Sequence, residues 1–187
     1  MKKSITLIAI ITIVSLSLSA QGFQPPTEGK AVVYFARISS YGGGASFEYF
    51  LQDKYIGVFK GKNYMRYECN PGEQLFWAST ENKEFLTANL KVGGTYIVIV
   101  DVIMGFWKAH VGLTPITDTD TELFMRAVDL INSEGPVITP ISKIDKMNKK
   151  LDKFIDEELE HYYSESKNVR NFKHISEDFA IPADLLK

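Results

Sequence analysis

The stretch Thr95–Met104, with the sequence TYIVIVDVIM, decides the fold of this chain. Successive side chains of a β-strand point to opposite faces, so the residues of this stretch divide into two sets. One set is Tyr96, Val98, Val100, Val102 and Met104, and the other contains Ile97, Ile99 and Ile103. Both sets are apolar, which is typical of a strand in the middle of a sheet that is covered on both sides. The stretch therefore predicts a central strand with a layer of structure on each face.

Shorter strand patterns lie on both sides of this stretch. They alternate apolar with polar residues or are rich in β-branched and aromatic residues. The segments are Ala31–Ile38, Phe47–Leu51, Tyr55–Phe59, Tyr64–Cys69, Gln74–Thr80, Phe85–Lys91 and Phe106–Leu113. The clearest turn between them is Asn70-Pro71-Gly72-Glu73, because glycine tolerates the positive φ of a type II turn. Strands spaced about 8 to 12 residues apart predict a mainly β fold, either an antiparallel β-sandwich of about eight strands or a partly closed barrel.

The pattern changes to helical spacing after Pro115. Apolar residues then recur three and four positions apart in two stretches. The two stripes are Leu123, Phe124, Ala127, Val128 and Ile131, and Ile144, Met147, Leu151, Phe154, Ile155, Leu159 and Tyr162. We therefore predict a β-sandwich domain at 23–116 and an acidic tail at 117–187 with a C-terminal pair of amphipathic α-helices. The stripes would be buried either on the protein's own sandwich or on a partner, which includes a homodimer through the tail.

The first residues have the order of a secretory signal. Lys2 and Lys3 precede an apolar run from Ile5 to Leu18, and small or polar residues follow. The run contains threonines and serines and is short for a bilayer span of about 20 residues, so a transmembrane anchor is the less favoured alternative. We predict a signal peptide at 1–22, cleaved after Ala20 or after Gly22. The mature protein would then be periplasmic or extracellular, with no transmembrane span.

Charge and cysteine content exclude two classes of interaction. The chain has 21 Lys and Arg against 23 Asp and Glu, a net charge of -2, and no stripe of basic residues. Nucleic acid is therefore not an expected partner. Cys69 is the only cysteine, so no intramolecular disulfide can form. It alternates in phase with Met65 and Tyr67, which predicts a buried apolar side chain rather than a reactive thiol.

Catalytic chemistry has no recognisable motif in this sequence. No Gly-x-Ser-x-Gly elbow is present, and the Gly42–Gly44 loop lacks the Lys-Ser/Thr that follows a phosphate-binding loop. His161 and His174 do not share the spacing within one helix that a preformed metal site uses. We therefore predict no catalytic residue, no metal site and no cofactor. A periplasmic or secreted hydrolase, with a site assembled from distant residues, is the alternative.

A binding module agrees better with the residues. Aromatic side chains on a β-scaffold can stack on sugars or hold peptides, and loops carry recognition residues on a rigid frame. The candidate ligand-binding residues are Tyr41, Tyr55, Phe106 and Trp107, together with Arg37, for which a structural ion pair is the favoured role and a ligand contact the alternative. We expect an exported, non-enzymatic cell-envelope protein whose sandwich binds an envelope protein or a glycan. The helical tail would act as a brace or as a docking element.

Several short motifs occur in a characteristic order along the sandwich. They are Tyr34-Phe35-Ala36-Arg37, the loop at 39–44, Tyr55-Ile56-Gly57, Asn70-Pro71-Gly72, Thr95-Tyr96 and Met104-Gly105. Through them the chain resembles the bacterial family called domain of unknown function 2846, over about residues 30–115. It is more distantly similar to PEGA-type small β-sandwiches, because Pro71-Gly72-Glu73 approximates their Pro-Glu-Gly-Ala tetrad. The resemblance implies an exported β-sandwich and carries over no catalytic residue.

Overall fold

The computed structural model describes residues 21–104 and 109–186. Most of the predicted signal peptide, and the candidate residues Phe106 and Trp107, lie outside these ranges. The strands are β1 Ala31–Arg37, β2 Ser46–Leu51, β3 Lys54–Lys60, β4 Asn63–Cys69, β5 Gly72–Ser79, β6 Lys83–Leu90, β7 Thr95–Met104, β8 Ala109–Ile116 and β9 Lys173–Ile175. The helices are α1 Thr121–Ser133, α2 Ile141–His161 and the short α3 Lys167–Val169, with a π-helical turn at Tyr162–Ser166. Short 3-10 turns follow at Glu177–Phe179 and Ala183–Leu185.

The strands form two open sheets that face each other. Sheet A has the order β4-β1-β7-β8, and sheet B has the order β3-β2-β5-β6-β9. The predicted mainly β sandwich with a C-terminal helix pair is thus confirmed, and the barrel alternative is wrong because neither sheet closes. Most neighbouring strands are antiparallel, but β1 pairs with β7 and β6 pairs with β9 in parallel.

Strand β7 has the central position that its sequence predicts, between β1 and β8. Its residues Tyr96, Val98 and Val100 belong to the core between the sheets. Ile97 and Ile99 point outward and pack in a second apolar cluster. The two apolar faces of this strand therefore contact two different layers.

The tail helices supply the outer layers. Ala127, Leu130 and Ile131 of α1 pack on the outer face of sheet A, against residues that include Tyr34 and Ile99. The stripe of α2 packs in the same way on the outer face of sheet B, and its members are Ile144, Met147, Leu151, Phe154, Ile155 and Leu159. The helices thus lie on the protein's own sandwich, and the layers follow the order helix, sheet, sheet, helix.

At one edge of each sheet, an asparagine side chain pairs with backbone groups that an exposed edge strand would otherwise leave unpaired. Asn148 of α2 accepts from the N–H of Tyr55 at 2.8 Å and donates to its carbonyl at 3.2 Å. Asn82 makes the same pair of bonds with Val111 of β8, at 2.8 and 3.0 Å. Gly57 of β3 leaves room for the side chain of Met65 in β4, since an added Cβ would lie 2.7 Å from its sulfur. Edge strands covered in this way are protected from pairing with other chains.

The end of the tail is not helical but belongs to the sandwich. Strand β9 extends sheet B, and its Ile175 is fully buried in the core between the sheets. The N–H of Ile181 then donates to the carbonyl of Thr95 at 2.9 Å, and Phe179 packs against the core. The predicted acidic helical tail therefore also contributes a strand and a cover for one end of the sandwich.

The residues that precede β1 are docked on the domain as well. The ring of Phe23 lies 4.9 Å from that of Tyr34, and the N–H of Gln24 donates to the Tyr34 hydroxyl at 2.8 Å. Arg66 donates to the carbonyl of Pro25 at 3.0 Å and forms an ion pair with Glu68 at 2.6 Å. Within the described residues, no helix is long and apolar enough to cross a bilayer.

Cys69 has the buried position that its alternation predicts. Its side chain belongs to the core between the sheets and the residue is 6% exposed. Burial raises the pKa of the Cys69 thiol to about 11, because the thiolate would lose its solvation there. The residue therefore acts as a small apolar side chain.

Candidate functional site

Arg37 anchors the glycine loop from inside the sandwich. The residue is 1% exposed, and its two terminal nitrogens donate to the carbonyls of Tyr41, Gly42 and Ala45 at 2.6 to 2.8 Å. Its guanidinium also lies 5.0 Å from the centre of the Phe47 ring. All three acceptors are neutral carbonyls, and none of them is a carboxylate. The arginine therefore has a structural role here through hydrogen bonds to the backbone. Its role as a ligand contact stays a prediction.

The two tyrosines that the sequence singled out have opposite environments. Tyr41 is 60% exposed in the glycine loop, whereas Tyr55 is 1% exposed beneath α2. A ligand contact at the surface needs an exposed ring, and Tyr55 does not have one, because the stripe of α2 covers the outer face of its strand. Tyr41 and Tyr55 also lie at opposite ends of the β2–β3 hairpin, since the glycine loop precedes β2 and Tyr55 follows the turn. The structure therefore does not bring them together.

A groove is present elsewhere, on the outer face of sheet B where the stripe of α2 ends. Its volume is about 560 Å³, within the range of small-molecule sites. We call it the sheet-B groove. The side chains that matter for its chemistry are Gln52, Glu73, Gln74, Thr87, Asn89, Tyr162, Tyr163, Lys167 and His174.

The floor of the groove consists of polar positions on β6 and β9. Thr87 and Asn89 of β6 point outward, in alternation with Leu86 and Ala88, which point into the core. The Thr87 hydroxyl and His174 Nδ1 are 2.8 Å apart, because these two residues are partners in the β6–β9 register. The Asn89 amide donates to a carboxylate oxygen of Glu177 at 3.1 Å. These bonds orient a row of hydroxyl, amide and imidazole groups toward the groove.

The wall of the groove is the π-helical turn that follows α2. The Tyr162 ring is buried and stacks on Phe85 at 4.5 Å. Its neighbour Tyr163 is 55% exposed and contacts the Tyr162 ring edge to face at 5.0 Å. The ammonium of Lys167 lies 5.9 Å from the centre of the Tyr163 ring. A π-helical turn is rare and is frequent at functional sites, and here it presents an aromatic ring beside a polar floor.

The charges of the groove are balanced. Glu73 contributes a carboxylate and Lys167 an ammonium, and His174 adds an imidazole. Burial, with a smaller contribution from Tyr163, raises the pKa of Tyr162, so this phenol stays neutral. Among the described residues, no group of three or more His, Cys, Asp or Glu is placed to hold a metal ion. The groove therefore offers hydrogen bonds and one aromatic face rather than a strong field of either sign.

Sequence reasoning missed this groove, because its lining residues are separated by as many as about 120 positions and come together only through packing of the tail. The signals that could have pointed to it are local and weak. They are the polar outward positions of β6 and the adjacent pair Tyr162-Tyr163 at the end of an amphipathic helix. A comparison of the chain with models of protein families and with curated proteins found no match.

Proposed function

We propose that the protein is an exported, non-enzymatic cell-envelope protein that binds a neutral glycan in the sheet-B groove. The observation that carries this proposal is the exposed ring of Tyr163 beside a row of amide and hydroxyl groups. A sugar ring has an apolar face that stacks on an aromatic ring, and its hydroxyls both donate and accept hydrogen bonds. The groove offers these two kinds of contact side by side.

The balance of charges supports a neutral ligand. Lys167 would attract an anionic ligand, but Glu73 would repel it. For a cationic ligand the two effects are exchanged, with Glu73 attracting and Lys167 repelling. The side chains of Gln52, Gln74 and Asn89 can each donate and accept, as the hydroxyl and acetamido groups of envelope glycans do. A neutral glycan can therefore form hydrogen bonds with the groove without being repelled by either charge.

The tail contributes to this function in two ways. Its helices brace both sheets, and its π-helical turn, α3 and β9 supply Tyr163, Lys167 and His174 to the groove. Its apolar stripes are buried on the protein's own sheets, so a homodimer through the tail would use residues outside those stripes. The secretory pattern at 1–22 supports export, which would bring the groove to envelope glycans.

A binding assay with one variant and one matched control tests the proposal. Chain 21–187 is screened on an array of bacterial envelope oligosaccharides, and the affinity of bound sugars is measured by titration calorimetry. Tyr163→Ala should lower affinity about fivefold, since an aromatic contact is worth about 1 kcal/mol and a tenfold change equals about 1.4 kcal/mol. Tyr41→Ala is the control, because Tyr41 is 60% exposed but lies on the glycine loop, away from the groove.

The outcomes separate the alternatives. Binding that Tyr163→Ala weakens and Tyr41→Ala leaves unchanged supports the groove as the glycan site. Equal loss in both variants, or no bound sugar, overturns the proposal. Release of shorter sugars during incubation would instead favour the hydrolase alternative.

A further inference from the structure

The sheet-B groove continues into a second recess at one end of the sandwich. Gln52 and Gln74 line both of them. The second recess has a volume of about 270 Å³ and extends to Lys30 and Asn70, whose side chains are joined by a hydrogen bond of 2.8 Å. The two spaces are therefore neighbours that share a boundary of two amide side chains.

A third recess extends this path around the turn between β2 and β3. It has a volume of about 490 Å³ and shares Asp53 and Lys54 with the second recess. Its other lining residues are Asn148, Lys149 and Asp152 of α2. As in the groove, amides and charges of both signs line the path. The same kind of neutral, polar ligand is therefore suited to all three spaces.

Gln52, at the junction of the groove and the second recess, has an unusual backbone conformation. Its φ is +50°, and it is the one non-glycine residue with a positive φ in the part of the chain that the structure describes. Its N–H donates to the carbonyl of Leu75 at 2.8 Å, and its carbonyl accepts from the Trp77 indole at 3.0 Å. Glycine adopts this conformation without the steric cost that a side chain adds, and such strained residues cluster at ligand sites. A long amide side chain is thus held at the junction in spite of its cost.

We propose that the three recesses form one continuous site for an extended glycan chain, and that Gln52 determines the preference for long chains by bonding the sugar at the junction. This inference rests on the proposed function of the groove. A short sugar contacts the groove alone, whereas a longer one passes Gln52 and Gln74 and gains contacts in the second and third recesses. Affinity therefore increases with chain length.

The test measures the affinity of chain 21–187 for β-1,4-linked N-acetylglucosamine oligomers from dimer to octamer. The octamer should bind the wild type at least tenfold more tightly than the dimer. Gln52→Gly should remove most of this difference and leave dimer binding unchanged, while its thermal midpoint stays equal to that of the wild type or rises. Gln74→Ala should also reduce the difference. Gln52→Asn is the conservative control, because asparagine keeps an amide and tolerates a positive φ, and it should retain part of the gain with length.

The readouts distinguish the two proposals. If all lengths bind with the same affinity, or if Gln52→Gly keeps the full gain with length, the continuous site is overturned and the groove proposal stands. If no oligomer binds, the continuous site is overturned, and the oligosaccharide array decides the groove proposal. A lower thermal midpoint for Gln52→Gly would show that the side chain stabilises the fold, which overturns its assignment as a residue kept for binding.

Discussion

At the scale of single residues, Arg37 shows how a buried charge can organise a loop through backbone carbonyls. Its guanidinium presents several donors in a fixed plane, and three backbone carbonyls of the glycine loop accept from them. Burial lowers the pKa of Arg37, since the cation loses solvent. The carbonyl dipoles and the Phe47 ring compensate for part of that loss. The loop therefore depends on one side chain for its position.

Replacing this arginine should destabilise the protein strongly. Arg37→Ala removes three charge-assisted hydrogen bonds to the carbonyls of the glycine loop, which should lower the free energy of unfolding by about 3 kcal/mol. Arg37→Lys should be intermediate, because an ammonium cannot reproduce the planar fork. Urea denaturation measures both. Arg126→Ala is the control, since Arg126 is half exposed and its ion pair with Glu122 is a surface contact. A similar loss in Arg37→Ala and Arg126→Ala would contradict the structural role.

Asp101 gives a prediction for the pH dependence of stability. Burial raises the pKa of this carboxyl above its usual value, and Lys173 and Arg126 offset only part of the shift. The folded state then binds the proton at higher pH than the unfolded state, so this contribution to stability decreases as pH rises through the folded pKa. Asp101→Asn should therefore stabilise the protein at pH 7, by less than about 1 kcal/mol. The gain should vanish in acid, below the unfolded pKa.

Glu68 is the matched control with the opposite sign. Partial burial opposes ionisation, but hydrogen bonds from Thr27 and Arg66 outweigh it and hold the pKa of Glu68 below its usual range. The contribution of Glu68 to stability is therefore present above its pKa in the unfolded chain, and it is lost as pH falls through its pKa in the folded protein. Glu68→Gln should destabilise at pH 7 and have little effect in acid. Denaturation curves at several pH values that show the same sign for both variants would contradict this account.

At the scale of elements, the strands were the most predictable part of the fold. Alternation and turn chemistry placed eight strands, and Gly72 has the positive φ, +87°, that its turn predicts. Strand β9 was missed, because three residues are too few to show a period. The parallel pairing of β1 with β7 was also missed, since pairing partners are chosen by packing between distant segments.

The candidate sites were less predictable for a related reason. The exposure of a side chain depends on what covers its strand, and Tyr55 lies beneath a helix that begins about 85 residues later. Tyr163 becomes a wall only because α2 ends in a π-helical turn beside β6 and β9. A sequence pattern shows which face of an element is apolar. It does not show which element will cover that face.

The asparagines at the sheet edges give a prediction at this scale. Asn148→Asp keeps the acceptor for the N–H of Tyr55 but loses the donor to its carbonyl, and Asn148→Ala loses both bonds. Each lost bond should lower the free energy of unfolding by about 1 kcal/mol. Hydrogen exchange should show faster exchange of the Tyr55 amide in Asn148→Ala than in Asn148→Asp. Asn70→Ala, at an exposed residue whose side chain accepts from Lys30, should change stability by less than about 0.5 kcal/mol.

At the scale of the whole molecule, the tail packs on both sheets and adds β9 to sheet B, which predicts that the sandwich and the tail unfold as one cooperative unit. Both outer sheet faces are strongly apolar, and the side chains that the tail covers include Tyr34, Ile99, Phe50, Trp77 and Phe85. Burying apolar area contributes about 25 cal/mol per Å², so two covered faces stabilise the fold by many kcal/mol. Antiparallel sheets in small sandwiches commonly leave one face to solvent. Here a helix of the tail covers part of the outer face of each sheet.

Removing the tail should therefore unfold the sandwich. A chain ending at Ile116 lacks α1, α2 and β9, which exposes both apolar sheet faces and removes the Asn148 contact with the β3 edge. We expect this chain to aggregate, to bind a hydrophobic dye and to lose its cooperative thermal transition, whereas the full chain should unfold in one step. A chain ending at Pro182 is the control. It keeps the contact of Ile181 with Thr95 and should remain folded. A soluble 23–116 fragment with a sharp transition would show instead that the sandwich folds independently and that the tail only shields it.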